Sequence, residues 1–98
     1  MRVDKFLSRV GLVRRTELKQ DRVEIRINGK EVKPSKDVKV GDIIEFISPT
    51  LLFRVEVLRL PEKKGIPAKM RSFYYRVIYR STKHKEIKSE FIKWLLED

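Results

Sequence analysis

The chain has no cysteine, which excludes disulfides and thiolate chemistry, and its one histidine, His84, cannot build an ordinary structural zinc site alone. No metal and no cofactor are expected. Nothing in the sequence approaches the roughly 18 uninterrupted apolar residues of a membrane-spanning helix, and the first residues lack the apolar stretch of a signal peptide. A cytoplasmic location away from membranes is the resulting expectation. Ninety-eight residues leave room for one modest core and exclude a large enzyme fold. Carboxylates such as Glu17, Asp21 and Glu24 lie among basic residues, with no histidine, cysteine or glycine-rich phosphate loop nearby. That pattern holds no catalytic constellation, so the chain is read as a non-enzyme.

What the chain has in excess is positive charge. Lysine and arginine number 24 against 14 aspartates and glutamates, a net charge of +10. Such a balance favours a polyanionic partner, because each cation that meets a phosphate releases condensed counterions. Nucleic acid is the first candidate and an acidic membrane surface the second. The excess is uneven: residues 1–58 carry 13 cations and 9 acids, residues 59–88 carry 10 and 2, and residues 89–98 carry 1 and 3. The segment from 59 to 88 is the most electropositive.

Hydrophobic periodicity divides the chain into elements of both kinds, an α+β pattern. Val3, Phe6, Leu7 and Val10 recur at helical spacing, with Arg2, Lys5 and Arg9 on a neighbouring exposed face, and the helix is expected to end near Gly11. A second short helix runs from Arg14 or Arg15 to about Gln20. From Val23 the period becomes two, with Val23, Ile25 and Ile27 on one side and Glu24 and Arg26 on the other, which is strand behaviour. Asn28-Gly29 is a tight hairpin turn, Lys30 to Lys33 the return, and Pro34-Ser35 a break. Gly41-Asp42, read as a turn alone, opens another strand through Phe46. A further strand over Leu52 to Leu60, with Phe53, Val55, Val57 and Arg59 on one side, crosses back onto the sheet. Pro61, Gly65 and Pro67 punctuate a basic loop holding Lys63 and Lys64, expected to stay open until RNA arrives. Residues 68–80 fit helix or strand, with helix favoured at the start. Ile87, Phe91 and either Trp94 or Leu95 mark an amphipathic helix over 85–96.

Arg2-Val3-Asp4-Lys5-Phe6-Leu7, then Arg14-Arg15-Thr16, then Val23 through Phe46 with Asn28-Gly29-Lys30, Lys33-Pro34-Ser35 and Val40-Gly41-Asp42, resembles the S4 domain, the alpha-L RNA-binding module of a small-subunit ribosomal protein. Lys33-Pro34-Ser35 and Arg54-Val55-Glu56-Val57-Leu58 further resemble the small stand-alone bacterial members, heat-shock-type proteins that associate with large ribosomal subunits. The resemblance implies two short N-terminal helices packed on a small antiparallel sheet at residues 1–48, and a basic extension at 49–98 with a strand and an amphipathic helix. It also implies structured ribosomal RNA as partner, on the large subunit, in the handling of stalled subunits that carry peptidyl-tRNA. The protein is expected to be a monomer off the ribosome. One departure stands out: Leu18 replaces a small residue of the second helix, and Gln20-Asp21-Arg22 replaces a glycine before the strand, with the connection about two residues short. The second helix is expected to be clipped.

For Arg2, Lys5, Arg9, Arg14 and Arg15, charge alone leaves a solvated helix face and RNA contact as equal readings. The resemblance favours contact, and extends the RNA-binding set to Thr16, Lys19, Lys30, Lys33, Ser35 and Lys36. Asp4 would be repelled by phosphate, so it is read as capping the first helix or orienting Lys5 or a second-helix arginine. Lys63, Lys64, Lys69, Arg71, Arg76 and Arg80 form a second candidate RNA-binding set. Phe73, Tyr74, Tyr75 and Tyr79 interleave with these arginines in a pattern that suits base stacking, although Phe73 and one or two tyrosines are expected in the core. The rival reading is a protein-interaction adaptor that docks through the 87–96 helix, with only general RNA affinity.

Overall fold

A computed structural model describes residues 1–20 and 22–82; His84, Trp94 and the helix expected over 85–96 lie outside the described residues. The elements in order are α1 (Val3–Arg9), α2 (Arg15–Leu18), β1 (Glu24–Ile27), β2 (Lys30–Val32), β3 (Ile43–Ile47), β4 (Leu51–Val57), a 3-10 helix (Ala68–Phe73) and β5 (Tyr75–Thr82). The five strands form one antiparallel sheet in the order β2-β1-β3-β4-β5. Strands on both sides of Ser48 therefore belong to the same sheet.

Alternation explains the sheet's two faces. Ile25, Ile27, Ile44, Phe46, Phe53, Val55 and Val57 point inward and are buried, and Val3, Phe6, Leu7 and Val10 of α1 join them in one core. Phe46 and Phe53 lie opposite each other on β3 and β4 and stack with ring centroids 5.3 Å apart, a cross-strand pair at the centre of that core. The other face carries Glu24 and Arg26 on β1, Glu45 on β3, Arg54 and Glu56 on β4 and Arg76 on β5.

The ends of α1 determine what its exposed face can reach. Arg2, at the N-cap, gives no side-chain cap. The orphan amides of the first turn are satisfied instead by backbone carbonyls of the 34–36 turn, with Val3 N–H donating to Lys36 O at 2.8 Å and Asp4 N–H to Pro34 O at 3.2 Å. Val38 N–H donates to Met1 O at 2.8 Å, so the basic turn is strapped to the start of the helix. At the other end Gly11 takes a φ of 76°, with Gly11 N–H donating to Ser8 O at 3.1 Å and Leu12 N–H to Leu7 O at 3.0 Å. This is a Schellman closure, which needs the left-handed residue that glycine supplies. Arg71 lies directly over Gly11: a Cβ there would sit 2.6 Å from the Arg71 Cζ.

The clipped second helix is observed, at four residues. Glu17 reaches back from its first turn to accept the Arg14 N–H at 2.8 Å, which closes the start of α2. Arg22, where the resemblance implies a glycine, adopts a φ of 68°. The Asn28-Gly29 turn is as expected, with φ of 53° and 86° and Ile27 paired to Lys30.

Two expectations need correction. Gly41-Asp42 is more than a turn: Asp42 is buried, its carboxylate accepts the Asn28 Nδ2–H at 3.1 Å and the Lys39 N–H at 3.0 Å, and the Asn28 Oδ1 accepts the Ile43 N–H at 3.0 Å. The pair ties the β1–β2 hairpin to the start of β3, fourteen residues away, a contact that local turn chemistry does not reveal. The helix favoured at the start of residues 68–80 is present as a 3-10 segment and gives way to β5 at Tyr75, where pairing with β4 satisfies the backbone of Tyr75–Thr82. Phe73 is 57% exposed and outside the core, whereas Tyr74 and Tyr75 pack against it. The short helix ends at Phe73 and turns that ring outward.

Candidate nucleic-acid interface

Two adjoining clefts run along the exposed face of α1. One, of about 350 Å³, is lined by Lys5, Ser8 and Arg9 of α1, Arg15 of α2, and Lys64 with Gly65 from the 61–67 loop. The other, of about 340 Å³, is lined by Arg2, Asp4, Lys5 and Ser8, by Arg15, Leu18 and Lys19, and by Pro34. Lys5, Ser8 and Arg15 belong to both, so the two make one groove. Helical geometry places Lys5, Ser8 and Arg9 on one stripe at spacings of three and four. The buried stripe of the same helix holds them above the core.

The electrostatics of the groove are nearly one-signed. Among the described residues Lys5, Arg9, Arg15, Lys19 and Lys64 enter no ion pair. Arg2 is the exception: its Nε and Nη2 donate to the Asp4 carboxylate at 3.1 and 2.9 Å, and the same carboxylate accepts the Lys5 N–H at 2.7 Å. Asp4 thus orients Arg2 rather than a second-helix arginine. A guanidinium carries five donors, so Arg2 remains able to engage an anion at the rim of the groove. This arrangement can position polyanions by charge and hydrogen bonding.

The remaining candidates fall elsewhere. Arg14 and Thr16 are exposed on α2 but line neither cleft, and Lys33 and Ser35 are exposed in the turn strapped to α1. Lys30 and Lys36 share a separate concavity with Lys39 and the acids Glu31, Asp37 and Asp42. Lys63 and Lys64 border a further cleft beside Arg59, Met70 and Tyr74. Lys69 and Arg80 are exposed. Arg71 is half-buried against Gly11, with its Nε enclosed and without a hydrogen-bond partner among the described residues. Arg76 donates to the Glu56 Oε1 from Nε at 3.0 Å and from Nη2 at 2.7 Å. Arg54 donates to the Glu45 Oε2 at 3.2 and 2.8 Å, and Arg26 to Glu24, which raises the Arg26 pKa through that hydrogen bond first and the carboxylate's charge second.

No family model matches the chain. Curated relatives do. The chain is 39% identical over 77 residues to the RQC P-site tRNA stabilizing factor of Helicobacter pylori strain J99, which covers 76% of this chain and 92% of the relative. A second strain of that organism, 26695, has a protein of the same name at 38% identity over the same length. The chain belongs to the family of RQC P-site tRNA stabilizing factors.

For this family member, residue-by-residue reading of the sequence misses Ser8, Gly65 and the structural use of Arg71. Ser8 was available from the spacing, three residues after Lys5 on the stripe that ends at Arg9. Gly65 and Arg71 were not, because the place of the first at the groove and of the second on Gly11 depend on how residues 58–75 fold back on α1.

Proposed function

We propose that this protein is a non-catalytic RNA-binding factor that acts on the large ribosomal subunit in the cytoplasm, where it engages ribosomal RNA and steadies transfer RNA in the P site, as its relatives' name says of them. We read α1, α2 and β1–β3 as an S4-type alpha-L module, with the groove along α1 as its principal RNA surface. The observation that carries this reading is the groove itself: cations from α1, α2 and the 61–67 loop converge on one surface, mostly without carboxylate partners among the described residues. Phosphate oxygens are the acceptors that such a surface lacks. Contacts of this kind position a protein on folded RNA and read little of its sequence, which suits a factor recognising one place on a fixed particle. Arginine's planar fork at Arg9 and Arg15 can also hold two phosphate oxygens at once.

The test is co-sedimentation of the purified chain with three particles: large subunits carrying transfer RNA in the P site, empty large subunits, and small subunits. The expected result is retention strongest on the first, weaker on the second and lost from the third as salt rises. Equal retention on all three would reduce the protein to a general polyanion binder.

A further inference from the structure

The loop that brings Lys64 to α1 is fixed at both ends. Pro61 is fully buried and Ile66 is 8% exposed, so the loop enters and leaves through the protein interior. Before it, the N–H groups of Leu58 and Arg59 both donate to Tyr74 O, at 2.9 and 3.3 Å; after it, Met70 N–H donates to Pro67 O at 2.9 Å. Beyond that turn the Arg71 guanidinium rests on Gly11, joining this segment to the C-terminal end of α1. Between the anchors Gly65 takes a φ of 69°, which reverses the chain at the tip.

This construction makes Lys64 and Gly65 part of the wall of the 350 Å³ cleft, which they share with Lys5, Ser8 and Arg9 of α1 and Arg15 of α2. Four cations line that space, and among the described residues no carboxylate does. The contrast with the hairpin concavity is direct, since there three acids sit among three lysines. Four like charges gathered around one cavity repel one another until an anion enters. The groove continues past Lys5 and Arg15 to Lys19 and Pro34, a linear run that suits a chain of phosphates better than a single ion.

We propose that the 61–67 loop is a clamp: Lys64 and Gly65 close with α1 and α2 on the sugar-phosphate backbone of an RNA strand lying along the groove. The proposal rests on the RNA-binding reading above and adds a second, loop-built wall to it. Lys63 provides the internal control. It is the adjacent residue with the same charge, but it lines only the cleft beside Arg59, Met70 and Tyr74, whereas Lys64 lines both that cleft and the groove.

The experiment compares Lys64→Ala, Lys63→Ala and Arg15→Ala in the full chain, with a folded transfer RNA transcript as the probe and affinity measured across a salt titration. Lys64→Ala is expected to weaken binding and to lower the slope of log K against log salt by about 0.9, the loss of one phosphate contact. Lys63→Ala should change both by clearly less. Equal effects of the two lysines would overturn the clamp, since net charge alone would then account for them. If Arg15→Ala is without effect as well, the RNA-binding reading fails; if Arg15→Ala weakens binding while the two lysines behave alike, only the clamp fails.

Discussion

The outer face of the sheet and the groove along α1 both display several cations, and they hold them in opposite ways. On the sheet Arg26, Arg54 and Arg76 each donate to a carboxylate from the same strand or its neighbour, so charge is largely cancelled where it stands. In the groove one such pair, Arg2 with Asp4, is found among six cations. A count of lysines and arginines treats the two surfaces alike, whereas their pairing separates them. Exposed ion pairs contribute little stability, about 0 to 1 kcal/mol each, but they occupy the donors that would otherwise seek phosphate. Pairing therefore separates the two surfaces: the three sheet arginines are matched by carboxylates, and five of the six groove cations have none among the described residues.

Gly11→Ala should produce the largest effect, on stability and on the groove together. A left-handed backbone costs a residue with a Cβ roughly 1–2 kcal/mol, and the new methyl must also displace Arg71 from above the helix end. A loss of about 1–3 kcal/mol of unfolding free energy in urea melts is expected, with weaker RNA binding, because the tie between α1 and the segment carrying Lys64 is broken. A variant with parental stability and affinity would show that this tie does not hold the groove together.

A smaller effect, of opposite sign, is expected at Arg22. Its φ of 68° suits glycine, so Arg22→Gly relieves backbone strain while adding freedom to the unfolded chain. The net expectation is a gain of about 0.5 kcal/mol in the same melts, with RNA binding little changed because Arg22 lines neither cleft. A destabilised variant would mean that the Arg22 side chain holds the α2–β1 connection.

The smallest effect belongs to the paired surface. Arg54→Ala removes one exposed ion pair with Glu45 and should cost at most about 0.5 kcal/mol. A loss of several times that size would show the sheet-face pairs to be structural supports and weaken the contrast drawn above.

Much of this fold follows from period and punctuation. The helix over Val3–Arg9, the hairpin at Asn28-Gly29 and the strand through Phe53, Val55 and Val57 are legible because each signal is local, a stripe of apolar residues or a turn dipeptide at its boundary. The shortened second helix could be read from the missing glycine and the contracted connection. What stays hidden is set by contacts distant in sequence. Asn28 and Asp42 look like two independent turn residues until the strand register puts them together. Arg71 and Arg76 look like members of one basic set, yet one packs on Gly11 and the other is cancelled by Glu56. Tyr75 to Thr82 carries apolar residues at spacings that fit either element, and an irregularity in the pairing at Arg54/Val55, which leaves Ile78 without an opposite residue, blurs the alternation further. Within the candidate site, Lys5, Arg9 and Arg15 could be picked out from helical spacing and resemblance. The convergence of Lys64 on them could be anticipated only as excess charge in residues 59–88.

The central claim is that unpaired groove cations, rather than charge as such, bind RNA. Two double variants test it directly, Lys5→Ala with Arg15→Ala in the groove and Arg54→Ala with Arg76→Ala on the sheet, because each removes two positive charges from the same chain. In a salt titration against structured RNA, the groove pair should lower the slope by about 1.8, two phosphate contacts, and weaken binding at every salt concentration. The sheet pair should leave slope and affinity close to the parent. Equal losses from the two pairs would contradict the account.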